Sequence, residues 1–266
     1  MSVFVVDCLD RPELLPFRNL KHHTQCGADD FVVESALVIE RLLASPFDVR
    51  SLLLTPQRHE ALKSLIPPGV PVYLASRRLI SEIAGYDVHR GCLARAAAPE
   101  AQRSLQDVLN AKPVQTVLLL EGLADPTNIG TIIRNALAFG VDLVVTDPKG
   151  ASPFSRRAAR TSAGHIFSLP VIEHSPIEAV KVLRDLSPSL KVIAATPTEQ
   201  ADSLADFNRS GPVALMLGNE GHGLSEEALS LADHWIRIPI AEGVDSLNVS
   251  ASAAVLLYAL NQCVSC

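Results

Sequence analysis

The feature that most constrains the fold is an alternation of short apolar runs and longer amphipathic segments beyond residue 113. The runs at 117–120, 143–145, 169–172, 192–195, 213–217 and 235–240 are almost continuously apolar, which is typical of parallel strands covered on both faces. Helices are predicted between and after them, at 131–139, 177–186, 225–231 and 249–262. The alternation predicts an α/β fold with a mostly parallel sheet.

A stretch of small residues at 96–103, which contains Pro99, precedes this region and is typical of a linker. Before it, strands are predicted at 31–33, 49–54, 70–74 and 91–95 with helices between them, and Ser35 is predicted to cap the first helix. We therefore expect a small α/β domain over 1–103, with a poorly defined segment at 1–30, and a larger domain over 104–266.

Composition excludes several classes of protein. The 266 residues are 48% hydrophobic and 20% charged, as in ordinary globular proteins, and no apolar run is long enough for a transmembrane helix. The amino terminus lacks the basic segment of a signal peptide. Five scattered cysteines are typical of free thiols in a reducing compartment. We expect a cytoplasmic protein without a membrane partner.

No metal site is predicted, because His22, His23 and Cys26 lack a second pair of ligands at zinc-like spacing. The formal net charge of −6 argues against a chain that coats nucleic acid nonspecifically. Any contact with RNA must then depend on a local cluster of cations, for which residues 156–160 are the best candidate.

Three blocks of small and polar residues follow apolar runs. They are Asn128-x-Gly130-x-x-x-Arg134, residues 218–223 (Gly-Asn-Glu-Gly-His-Gly), and residues 246–248 (Ser-Leu-Asn) after an Ile-Pro-Ile segment at 238–240. Open α/β sheets bind ligands at the carboxyl ends of their strands. The three blocks therefore predict one ligand site.

The glycine block does not match the fingerprint of dinucleotide-binding proteins. Its order is G-x-x-G-x-G, it comes late in the domain, and Glu220 would repel a pyrophosphate. A nicotinamide-dependent oxidoreductase is therefore disfavoured, and a ligand with a cationic or hydroxyl-rich part is favoured.

Arg134 is predicted in the first turn of its helix, where a cation opposes the helix dipole unless it has an anionic partner. An ordinary surface arginine fits equally well. Asn128 fits either a turn that caps the helix or a group that orients Arg134 or a substrate hydroxyl.

Together with residues 160–164 (Arg-Thr-Ser-Ala-Gly), the three blocks resemble the motifs of SpoU-type (TrmH-like) RNA ribose 2′-O-methyltransferases of the SPOUT superfamily. The resemblance covers residues 113–262. It implies a carboxyl-terminal trefoil knot, a homodimer, and S-adenosylmethionine as cofactor. Residues 31–98 resemble, more loosely, a ribosomal-protein-like RNA-binding domain, in which Ser35 replaces a glycine that is usual after Glu34.

The activity that the resemblance implies is methylation of a ribose 2′-hydroxyl in structured RNA, either tRNA or rRNA. The implied catalytic residues are Arg134, Asn128, Glu220, Ser246 and Asn248. The implied cofactor-binding residues are Thr196, Leu217, Gly218, Ile238, Ile240 and Leu247. Because a guanidinium is a poor proton acceptor, we expect Arg134 to stabilise the developing alkoxide rather than to act as a base.

The cluster of Arg156, Arg157 and Arg160 has two interpretations. Taken alone it fits a solvated helix face, but beside the implied site we favour a patch that binds RNA phosphates. An alternative function is a catalytically silent RNA-binding or assembly factor with the same fold. The presence of all five implied catalytic residues argues against that alternative.

Overall fold

The computed structural model describes residues 2–20, 30–98 and 105–262. Contacts divide the chain into two compact units, one of residues 1–102 with 154–168 and one of residues 103–153 with 169–266. This division differs in one segment from the boundary expected after residue 103. Residues 154–168, which carry the three clustered arginines, group with the first unit.

The elements follow one another in strand–helix alternation. The strands are β1 (Ser2–Val5), β2 (Asp30–Glu34), β3 (Val49–Leu54), β4 (Pro71–Leu74), β5 (Cys92–Ala97), β6 (Thr116–Leu120), β7 (Leu143–Thr146), β8 (Val171–Glu173), β9 (Lys191–Ala195), β10 (Asp202–Ser203), β11 (Val213–Leu217) and β12 (His234–Arg237). The helices are α1 (Ala36–Leu43), α2 (Pro56–Leu62), α3 (Arg77–Ala84), α4 (Leu105–Ala111), α5 (Pro126–Ala138), α6 (Arg156–Thr161), α7 (Pro176–Leu186), α8 (Glu226–Leu231) and α9 (Val249–Gln262).

The first unit contains a five-stranded sheet in the order β1-β4-β3-β5-β2. β5 runs antiparallel to both of its neighbours, and the other pairs are parallel. The expectation of a poorly defined segment at 1–30 is wrong for residues 2–20. β1 pairs with β4, and Leu14 and Phe17 of a 3-10 helix are fully buried in the core. His22, His23 and Cys26 lie outside the described residues.

Aromatic packing explains why residues 154–168 join the first unit. Phe154 and Phe167 contact Phe31 of β2 and Phe47, with ring centroids 5.3–6.0 Å apart. Phe31, Phe154 and Phe167 are buried, so separating the segment from β2 would expose a large apolar area. The alternation of strands and helices along the sequence does not predict this long-range contact.

The second unit contains a seven-stranded sheet in the order β10-β12-β9-β11-β6-β7-β8, and every pair is parallel. Alternate residues of β6 point to opposite faces, and all five are buried. α4, α7 and α8 pack over one face, where Val117 and Leu119 lie in a shared core, while α5 and α9 pack on each other. The predicted α/β class is confirmed, and the knot stays a prediction.

Some predicted boundaries are wrong. β12 ends at Arg237, so Ile240 lies in the following loop. Ser35 precedes α1 with a φ of 86° and makes no side-chain cap. None of the helices in the part of the chain that the structure describes combines the length and apolar character needed to cross a bilayer.

Candidate active site

The helix that carries the first motif block begins earlier than the sequence analysis predicts. Asp125 caps α5 by accepting a hydrogen bond from the Thr127 N–H at 2.8 Å, and Pro126 occupies its first turn. Arg134 therefore lies in the third turn of α5, and the predicted conflict with the helix dipole is wrong. The Asp-Pro pair at 125–126 is the sequence signal for this start.

A chain of side-chain hydrogen bonds connects the three motif blocks. Asn248 Nδ2 donates to Asn128 Oδ1 at 3.1 Å, and Asn128 Nδ2 donates to Glu220 Oε1 at 2.8 Å. At one end, Asn248 Oδ1 caps α9 by accepting from the Ser250 N–H at 2.9 Å. At the other, Glu220 Oε2 accepts from the Ala124 N–H at 3.3 Å. Asn128 is thus the central link and not a turn cap.

The hydrogen bonds of this chain control the charge of Glu220. Burial raises the pKa of the Glu220 carboxyl, but hydrogen bonds from Asn128 and from backbone N–H groups, including that of Ala124, outweigh it and lower the pKa below its ordinary value. Glu220 is therefore a carboxylate at neutral pH. It places one negative charge beside the first turn of α5.

The glycine block forms a tight loop at the carboxyl end of β11. A Cβ at Gly218 would lie 2.2 Å from the Gly223 carbonyl carbon, so only glycine fits there. Asn219 holds the loop closed. Its side chain donates to the Gly122 carbonyl at 2.7 Å and accepts from the Gly221 N–H at 2.8 Å.

Asn219 belongs to the predicted glycine block, but its role is one of three that the sequence did not predict. Glu121, directly after β6, accepts from the Ser225 N–H at 2.8 Å and from its hydroxyl at 2.6 Å, and so fixes the start of α8. Asn135 Nδ2 donates to the Ser250 carbonyl at 3.1 Å and joins α5 to α9. The signal was present for Glu121, because it is a polar residue that directly follows a buried strand. Asn135 gives no such signal.

The predicted cofactor residues follow three neighbouring strands. Leu217 ends β11, Thr196 directly follows β9 and Ile238 directly follows β12, and these strands are adjacent and parallel. Gly218 continues from Leu217, while Ile240 and Leu247 lie on the loop between β12 and α9 with exposed side chains. Backbone groups, one hydroxyl and apolar side chains thus gather at one edge of the sheet.

Two of the predicted catalytic residues stand apart from the hydrogen-bonded chain. The side chains of Arg134 and Ser246 are exposed, and among the described residues neither makes a side-chain hydrogen bond or an ion pair. A guanidinium that is exposed on the same helix as Asn128 is free to meet an anionic ligand.

The clustered arginines belong to the first unit, where two of them meet a carboxylate. Arg160 Nη1 lies 3.0 Å from Glu34 Oε1, and Arg156 Nε lies 3.9 Å from Glu34 Oε2. Arg157 is exposed. Of the three, Arg157 alone has a side chain without a partner in the ranges that the structure covers, so the cluster is only partly a free patch.

Comparison with known proteins places the second unit in a family. Residues 115–258 match the family model described as the SpoU rRNA Methylase family. An uncharacterised tRNA/rRNA methyltransferase of Mycobacterium tuberculosis is 35% identical over 94% of this chain and 88% of its own length. The 23S rRNA (guanosine-2′-O-)-methyltransferase RlmB of Haemophilus influenzae is 29% identical over 74% of this chain and 80% of its own length.

Solved structures of methyltransferases have a fold similar to that of this chain. The AdoMet-bound rRNA methyltransferase from Sinorhizobium meliloti is 26% identical and covers 98% of both chains, with a TM-score of 0.80. A structure described as an RNA 2′-O ribose methyltransferase is 27% identical, with a TM-score of 0.77, over 98% of this chain and 99% of its own. The hydrogen-bonded motif blocks lie within the matched region, and this chain belongs to the SpoU rRNA methylase family.

Proposed function

We propose that this protein transfers a methyl group from S-adenosylmethionine to a ribose 2′-hydroxyl of structured RNA, either tRNA or rRNA. The observation that carries the proposal is the hydrogen-bonded chain from Asn248 through Asn128 to Glu220. It brings the three motif blocks together where parallel strands end, in a chain of the SpoU family. Relatives named as rRNA 2′-O-methyltransferases support the same reaction.

The residues at the strand ends fit S-adenosylmethionine, which supplies a methyl group already activated on a sulfonium. Backbone at Leu217, Gly218 and Ile238 and the side chains of Thr196, Ile240 and Leu247 would hold its adenosyl part. The exposed side chains of Ile240 and Leu247 would pack against the apolar faces of its base. The carboxylate of Glu220 suits a cationic ligand, because its pKa is lowered.

Arg134 is the proposed catalytic cation. A guanidinium is a poor proton acceptor, so Arg134 stabilises negative charge on the attacking ribose oxygen and does not abstract the proton. Asn128 and Asn248 position Glu220, and they hold together the loops that carry the motif blocks. Ser246, exposed on the same loop as Leu247, is proposed to contact RNA or cofactor.

The remaining expectations extend the proposal to the whole protein. The first unit binds RNA, and the chain forms a homodimer and carries a knotted carboxyl terminus in the cytoplasm. Exposed apolar side chains on α9 support the dimer, namely Val255 and Tyr258.

The replacement Arg134→Ala tests the catalytic role. We expect the methylation rate on ribosomal RNA to fall about 100-fold or more, because the loss of one preorganised group that stabilises an oxyanion costs that much. Calorimetry should show S-adenosylmethionine affinity within about twofold of wild type. Lys181→Ala, which removes an exposed cation from α7, is the matched control. An undiminished rate in Arg134→Ala would refute the role.

A further inference from the structure

Positively charged side chains cluster at one edge of the sheet in the first unit. β2, β3 and β4 all end at this edge and β5 begins there, since β5 alone is antiparallel to its neighbours. α1, α2 and α3 follow β2, β3 and β4, so their amino termini lie at the same edge. We call it the basic edge and define it by Arg58, Arg90, Arg156, Arg157 and Arg160.

Arg58 and Arg90 lie together at the β3–β5 part of this edge. The Thr55 N–H donates to the Gly91 carbonyl at 3.0 Å, and Arg58 Nε donates to the Arg90 carbonyl at 3.0 Å. The only hydrogen bond found for the Arg58 guanidinium in the described part of the chain goes to a neutral carbonyl. Its positive charge is therefore not compensated by a carboxylate.

The arginines of α6 lie at the β2 part of the same edge. Glu34, the last residue of β2, pairs in register with Leu93 of β5. Its carboxylate meets both Arg156 and Arg160 and accepts a hydrogen bond from the Tyr86 hydroxyl. The Arg156 guanidinium also stacks over the Tyr86 ring, 4.5 Å from its centroid. One carboxylate thus orders two guanidiniums and leaves a surplus of positive charge.

Several other arginines of the first unit are paired with acids, whereas Arg41 donates to the Ala163 carbonyl at 2.6 Å. Arg77 pairs with Asp87 at 3.2 Å, and Arg78 pairs with Glu82 at 2.9 Å. At the opposite edge, Arg50 pairs with Asp48 at 3.0 Å, and Asp30 accepts from Arg95 Nε at 2.8 Å. The basic edge thus holds several arginines without a carboxylate of their own, in a chain whose net charge is −6.

We propose that the basic edge binds the phosphate backbone of the RNA substrate, with direct contacts from Arg58, Arg90 and Arg157. The inference rests on the proposed function, which supplies RNA as the partner. Strands lie about 4.8 Å apart, so the ends of β2 and β3, on either side of β5, are roughly 10 Å apart, and one group of arginines lies beside each end. That separation allows contacts to different phosphates of one strand. Arg156 and Arg160 shape the surface through Glu34.

The test measures the salt dependence of RNA binding by the full-length protein. A fluorescently labelled RNA hairpin is a sufficient probe, because phosphate contacts do not depend on sequence. Arg58→Ala, Arg90→Ala, Arg157→Ala and the triple variant are compared with Arg50→Ala, which removes an arginine from the opposite edge. Thermal unfolding and calorimetry with S-adenosylmethionine confirm that each variant is folded.

Each single variant should reduce the slope of log affinity against log salt by about 0.7–0.9. The triple variant should reduce it by about 2 and bind at least about tenfold more weakly near 100 mM salt. Arg50→Ala should match wild type. If the three single variants bind the hairpin as tightly as wild type and with the same slope, the proposal is overturned, even where wild type methylates RNA. If wild type binds neither S-adenosylmethionine nor a methyl-accepting RNA, the proposed function fails instead.

Discussion

Among single residues, Glu220 makes the stability of the protein depend on pH, because its carboxylate takes part in the hydrogen bonds of the site. Its pKa is lowered in the folded chain, because hydrogen bonds from Asn128 and backbone N–H groups outweigh the effect of burial. A lowered pKa means that the carboxylate stabilises the fold above its ordinary pKa of 4.5. That contribution is lost as the pH falls through the lower, folded-state pKa.

Glu220→Gln should therefore destabilise the protein most above about pH 5. The difference in unfolding free energy between wild type and variant should shrink as the pH is lowered toward 3, measured by urea denaturation at each pH. In an Asn128→Ala background the same comparison should depend less on pH, since the strongest donor to the carboxylate is gone. A difference that grows on acidification would contradict the assignment.

Ser35 occupies a backbone conformation that suits glycine. Its φ is 86° and its side chain caps nothing, whereas Ser76, at the equivalent position before α3, has φ −64° and accepts a hydrogen bond from the Leu79 N–H. A non-glycine residue in such a conformation costs about 1–3 kcal/mol. The sequence already marked this position, because Ser35 stands where a glycine is usual.

Replacing Ser35 by glycine should relieve this strain. We expect Ser35→Gly to raise the free energy of unfolding by about 1 kcal/mol, which is the strain less the entropy cost of glycine. The matched variant Ser76→Gly should lower it by a few tenths of a kcal/mol, because it removes a cap. Urea unfolding of both variants measures the effect. Loss of stability in Ser35→Gly would show that the hydroxyl makes a compensating contact.

At the scale of elements, the glycine loop after β11 depends on one close backbone approach. A Cβ at Gly218 would meet the backbone of Gly223 and Leu224 at 2.2–2.4 Å, whereas a Cβ at Gly221 would meet only the Asn219 side chain at 3.4 Å. Two glycines of the same loop thus have different tolerance for a side chain. This difference allows an internally controlled experiment.

Gly218→Ala should force the loop apart, lower stability by about 1–3 kcal/mol and weaken S-adenosylmethionine binding at least tenfold. Gly221→Ala should stay within about 0.5 kcal/mol of wild type and bind the cofactor normally. Thermal unfolding and calorimetry report the two quantities. Equal cofactor affinity in both variants would mean that the loop is not part of the cofactor site.

The strands and helices of the second unit were largely predictable from the sequence. The residues at which they begin and end were harder to predict. Periodicity located β11 and α8, because long apolar runs and a serine cap dominate their local energetics. The start of α5 was misplaced because the apolar pattern begins at Ile129, after the Asp-Pro pair that caps the helix. β12 ends before Pro239, since proline has no N–H to continue the ladder.

At the scale of the whole molecule, long-range contacts limited what sequence could predict. Strand-end motifs predicted one site, and the structure brings Asn128, Glu220 and Asn248 together although they are up to 120 residues apart. No local pattern predicts that residues 154–168 pack with β2, because that contact depends on four phenylalanines from distant segments. The division of the chain is therefore a property of tertiary packing.

The family match and the hydrogen-bonded motif blocks together indicate that this protein methylates ribose. The most direct measurement incubates the protein with isotope-labelled S-adenosylmethionine and ribosomal RNA or tRNA, digests the RNA to nucleosides and locates the label by mass spectrometry. We expect a labelled methyl group on the ribose of a single nucleotide, and no such label with Arg134→Ala. Label on a base with an unmodified ribose, or no transfer to either RNA, would contradict this expectation.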